Sequence, residues 1–95
     1  MPPVRRLVID VLKPHDPPLW QFTERIAATE TVEGATASLI ELDQEVQNVK
    51  ITIEGSELDH DAIEESVETI GGTVHSVDLV ACGERLVEDR RTLQD

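Results

Sequence analysis

Residues 46–54 read Val46-Gln47-Asn48-Val49-Lys50-Ile51-Thr52-Ile53-Glu54. Val49, Ile51 and Ile53 alternate with Lys50, Thr52 and Glu54, the two-residue period of a strand with one apolar and one polar face. On its N-terminal side, Asp43-Gln44-Glu45 is a short hairpin turn that joins it to an apolar strand over residues 35–42. On its C-terminal side, Gly55 breaks the alternation and Ser56-Glu57-Leu58-Asp59 leads into a helix. Asp59 is the expected N-cap of that helix, and Ala62, Ile63, Val67 and Ile70 form its buried stripe. Gly71-Gly72 ends it, with the first glycine in the left-handed conformation. A last strand covers residues 73–81 and stops at Cys82-Gly83.

The N-terminal part has the same grammar. Val4 to Lys13 is a β-branched, apolar strand closed by Pro14, Pro17 and Pro18. A helix follows from about Pro18 to Ala28, with Leu19, Phe22 and Ile26 on one stripe and Trp20 off it. Asp16 is its expected cap, with the prolines in the first turn. The order is therefore βαββαβ. Right-handed crossovers turn it into an α+β, ferredoxin-like sandwich: a four-stranded antiparallel sheet with two helices on one face. Residues 1–83 make the domain. Residues 84–95 are a charged C-terminal tail carrying Leu86-Val87 and Leu93, expected to dock on a neighbouring subunit.

The chain has 95 residues, 20 of them acidic and 8 basic, a net charge of −12. That length allows one domain and one core. The acidic excess argues against nucleic acid, which needs clustered Lys and Arg, and against anionic membrane surfaces. Two lysines, abundant carboxylates and few aromatics fit a protein working in molar salt, where the Debye length is about 3 Å and self-repulsion is screened. Cys82 is single, which excludes a disulfide framework and a CxxC pair within the chain. The apolar stretch near the start is interrupted by Asp10 and is too short for a signal peptide or a spanning helix, so a cytoplasmic location is expected.

Two helices cover one face of such a sheet. Leu7, Ile9 and Val11 belong under them, and Val8, Asp10 and Leu12 on the outer face. Ile40, Leu42 and Val80 are assigned to that outer face too. Together with Leu86 and Val87 in the tail, Val8, Leu12, Ile40, Leu42 and Val80 are the candidate oligomer interface, because a large exposed apolar patch marks an association surface. The alternative is a monomer whose tail folds back over its own sheet.

Three groups of residues carry candidate chemistry. Lys13, His15, Asp16 and His75 gather where the first strand ends and the last begins, near a helix N-terminus, as candidate ligand-binding residues for a metal or small anion. Glu33, Asp59 and Asp61, with Glu57 and His60, form an acidic group at the other end, suited to a hard cation such as Ca²⁺. Asp10 and Asp78 on the outer face are a third candidate metal pair, with Lys50 as the simplest counter-ion for Asp10. Satisfied histidines and ordinary helix-end carboxylates compete with each reading. There is no nucleophile elbow, P-loop, dinucleotide fingerprint or HExxH, so no catalytic residue is assigned and an enzyme is not expected.

The blocks Leu12-Lys13-Pro14-His15, Glu33-Gly34, Asn48 to Gly55, Leu58-Asp59, Gly71-Gly72-Thr73-Val74-His75-Ser76-Val77-Asp78 and Gln94-Asp95 resemble the archaeal family known as domain of unknown function 211. The resemblance runs along almost the whole chain. It implies a ferredoxin-like fold, a homo-oligomeric, ring-like assembly, and Ca²⁺ or another divalent cation as a candidate ligand. It implies no activity. Cys82 and Leu93 depart from the family pattern, and the heavy acidic excess suits a halophilic member. The expectation is a non-catalytic homo-oligomer binding a divalent cation or small anion. The alternative is a small-molecule-sensing regulatory module acting through a partner protein.

Overall fold

A computed structural model describes residues 1–88; residues 89–95, with Leu93 and the Gln94-Asp95 block, lie outside the described residues. The elements run β1 (Val4–Pro14), α1 (Leu19–Ala27), β2 (Gly34–Leu42), β3 (Val46–Glu54), α2 (His60–Thr69) and β4 (Thr73–Cys82). The strands form one antiparallel sheet in the order β2-β3-β1-β4. This is the βαββαβ ferredoxin-like sandwich.

The register explains the core. Leu7, Ile9 and Val11 of β1 pair with Ile53, Ile51 and Val49 of β3. Partners across a ladder share a face, so these six side chains make one apolar layer. Phe22 and Ile26 of α1 and Ile63 and Val67 of α2 close it from above. Each such side chain, fully buried, contributes roughly 1.5–3 kcal/mol.

The helix ends follow local chemistry. Asp59 caps α2, its Oδ1 accepting from the Asp61 and Ala62 amides at 3.1 and 3.2 Å. Gly71 follows α2 with φ +94°, the left-handed turn expected of it. At α1 the expectation fails. The N-cap is Pro18, with no side-chain hydrogen bond, and Asp16 caps nothing. Two prolines between Asp16 and Leu19 hold its carboxylate away from the first turn.

Bulges correct the assignment of faces. Along β4, Leu79 pairs with Val8 but Val77 with Ile9, and Ser76 pairs with Asp10 but Val74 with Val11. Each step inserts one extra residue, and an extra residue switches the faces of all residues beyond it in the strand. Val80 pairs with Leu7, so it lies on the helix side, not the outer face. In β2, the register shifts between Leu39 and Glu41, with Ile40 as the extra residue. Leu42 then pairs with Gln47, which also faces Lys13, so Leu42 too lies on the helix side.

Candidate functional site

The end of β1 concentrates the polar candidates. Lys13 continues the inward alternation of Leu7, Ile9 and Val11, and its side chain is fully buried. Its ammonium donates to the Pro14 carbonyl at 2.7 Å, the Gln47 Oε1 at 3.0 Å and the His15 carbonyl at 3.5 Å, and lies 5.7 Å from the centre of the Phe22 ring. Three N–H groups thus meet three acceptors. Burial lowers the Lys13 pKa from its ordinary value, with the Asp16 carboxylate opposing. His15 bonds through Nε2 to the Asp43 carbonyl at 2.8 Å, tying the β1–α1 loop to the β2–β3 turn. Lys13 and His15 are therefore engaged in holding this loop. Asp16 and His75 are exposed.

At the opposite end, Thr31 carries φ +76° and its Oγ1 accepts from the Asp59 amide at 2.9 Å. A Cβ on Gly55 would stand 2.3 Å from the Thr31 carbonyl, so glycine is required for the two loops to meet. Glu33 donates its amide to the Glu54 carbonyl at 2.8 Å. Asp61 pairs with the exposed His60 at 3.3 Å. Asp59 acts as a cap here, and Glu33 and Asp61 are exposed.

The outer face is partly covered by the chain itself. Arg6 bonds Glu54 at 2.6 Å and Glu88 at 3.2 Å, and these two hydrogen bonds raise its pKa. Arg5 donates to the carbonyls of Gly83 and Glu84. The start of the tail is thereby fastened to its own sheet, with Leu86 half-buried and Val87 exposed. Val8 is only 8% exposed and Leu12 is half-buried. Beside them, the Asp10 Oδ1 is buried and has no hydrogen-bond partner among the described residues. Lys50 stands opposite Asp10 in the register, yet no ion pair joins them. Ser76, the β4 partner of Asp10, donates to Asp78 at 2.7 Å. Among the described residues, no group of three or more His, Cys, Asp or Glu side chains converges as a metal site.

Exposed apolar surface lies instead on the two lateral edges. Between α2 and β4 runs a groove of about 290 Å³, lined by Leu7, Ile9, Ile63, Val74, Val77 and Val80 among others, with His60 and Glu64 among its polar lining residues. Val77 and Val80 are 55% and 53% exposed. On the opposite edge, Ile40 and Leu42 are 59% and 61% exposed, with Leu39 and Trp20 also open. Sequence reasoning missed this groove because it assumed strict alternation in β4. The spacing Val74, Val77, Val80, three rather than two, was the available signal.

No helix among the described residues is long and apolar enough to cross a membrane. Residues 5–95 match the sequence profile of a family described as "Uncharacterized ArCR". An uncharacterized protein of Methanocaldococcus jannaschii is 42% identical over 92 residues, covering 97% of this chain and 95% of the relative. With nearly the full length matched by both, the chain belongs to the archaeal domain of unknown function 211 (DUF211) family.

Proposed function

We propose that this protein is non-catalytic and works as a ring-like assembly of copies of itself. The observation that carries the reading is the exposed apolar surface on both lateral edges of the sheet: Ile40 and Leu42 on one, Val77 and Val80 on the other. Isolated apolar residues need no explanation, but clusters of this kind on a strongly charged chain mark association surfaces. The non-catalytic reading is supported by Lys13, whose ammonium is held by the Pro14 and His15 carbonyls and Gln47, and by His15, whose Nε2 bonds the Asp43 carbonyl. Analytical ultracentrifugation across a protein dilution series tests it. A defined multiple of 10.5 kDa is expected. A monomer at every concentration would contradict the proposal.

A second reading rests on Asp10. A buried carboxylate oxygen without a partner costs stability, and a bound cation removes that cost. Asp10 and Asp78 would then supply part of a Ca²⁺ or similar site on the outer face, completed by another subunit or by water. A rise in melting temperature with millimolar Ca²⁺, lost in Asp10→Asn, is the expected result. Equal melting temperatures with Ca²⁺ and with chelator would rule it out.

A further inference from the structure

We propose that the cleft between α1 and β2 binds a small quaternary ammonium ion, with Trp20 supplying an aromatic face and Glu24 the counter-charge. This goes beyond the self-association reading, which stands on Ile40, Leu42, Val77 and Val80. The chain has one Phe, one Trp and no Tyr. Phe22 is fully buried in the core, whereas Trp20 is 63% exposed. An indole left so open is not placed there for core packing. It borders an open cleft of about 650 Å³, whose lining includes Thr23, Glu24, Ala27, Ala35 and Ala37. That volume lies within the range of roughly 300–1,000 Å³ typical of small-molecule sites.

The local sequence builds the hollow. Trp20 and Glu24 are one helical turn apart, and Ala27 continues the same flank of α1. Across the cleft, Ala35 and Ala37 of β2 pair with Ile53 and Ile51, so their methyl groups lie on the helix side. Larger side chains at these three alanines would fill the space. The neighbouring cation on α1 turns elsewhere: Arg25 lines a separate hollow with Glu65 and Ser66. Among the described residues, no ion pair uses Glu24 and no cation sits over Trp20.

The lining selects the class of ligand. Glu24 is its one charged side chain, and no Lys, Arg or His joins it. An anion, or the carboxylate of a zwitterion, finds no partner there. The Thr23 hydroxyl already donates to the Leu19 carbonyl at 2.8 Å. A primary ammonium asks for three acceptors. A quaternary ammonium asks for none, and its methyl-clad charge suits an indole face and an alanine floor. The net charge of −12 raises the concentration of any cation near the surface.

Trp20 is the only tryptophan, so its fluorescence reports this cleft alone. Choline chloride is titrated into the wild-type protein at constant ionic strength. A saturable change in Trp20 emission is expected, with a millimolar midpoint. Dimethylbutanol, the uncharged isostere of choline, should give no saturation. Glu24→Gln should weaken binding roughly threefold or more. Trp20→Leu should abolish it, followed through the amide NMR shifts of Ala35 and Ala37. Both side chains are exposed, and circular dichroism checks each fold. A linear response to choline, an equal response to the alcohol, or an unchanged midpoint in Glu24→Gln would overturn the proposal. Acrylamide should quench the wild-type Trp20 freely. Protection from acrylamide would mean that another copy covers the cleft, which overturns the ammonium site and leaves self-association standing. A monomer that binds choline would do the reverse.

Discussion

With three acceptors around one buried ammonium, Lys13→Ala removes a side chain that the β1–α1 loop is built on. The Pro14 and His15 carbonyls and Gln47 lose their donor, and a cavity opens beside Phe22. The expected cost is about 3 kcal/mol, read as a shift in urea midpoint. Lys13 also sets a pH dependence. Burial lowers its pKa in the folded state below the ordinary 10.5. Between the two values the unfolded chain binds more protons, so this contribution to stability grows as pH rises toward 10.5 and is lost as pH falls through the folded value. Relative to Lys13→Met, the wild type should therefore gain stability on raising pH from neutrality, measured by chemical denaturation at each pH. A constant difference between the two would mean that the amine titrates as in water.

At the scale of elements, glycines and caps make graded predictions. Asp59→Ala should cost about 1 kcal/mol, because two amides at the start of α2 lose their acceptor. Gly71→Ala places a Cβ at φ +94° and 3.3 Å from the Pro14 Cγ, at a cost of about 1–2 kcal/mol. Gly55→Ala should cost more than either, since its Cβ would meet a backbone carbonyl that cannot swing aside. Thermal melts of the three variants check the ranking. The element order was readable because Val46–Glu54, the hairpin and the Gly71-Gly72 stop each carry a local signal. The faces of β2 and β4 were not, because a bulge has no strong residue signature and one inserted residue reverses everything beyond it. The same holds for the candidate site. Lys13, His15 and Asp59 were found by residue type, but whether their polar atoms were free depended on carbonyls and amides that a sequence pattern does not display.

For the molecule as a whole, charge and apolar edges pull in opposite directions. A net charge of −12 on 95 residues opposes both folding and close approach of copies at low ionic strength. Raising KCl should therefore raise the denaturation midpoint, and unchanged stability across the series would remove the case for a salt-adapted chain. The central claim is that the protein exists as copies joined through the edges of its sheet. Native mass spectrometry of the wild type in high volatile salt tests it most directly. The account predicts a closed multiple of the 10.5 kDa chain that grows more populated with salt. A monomer at all salt concentrations would contradict it.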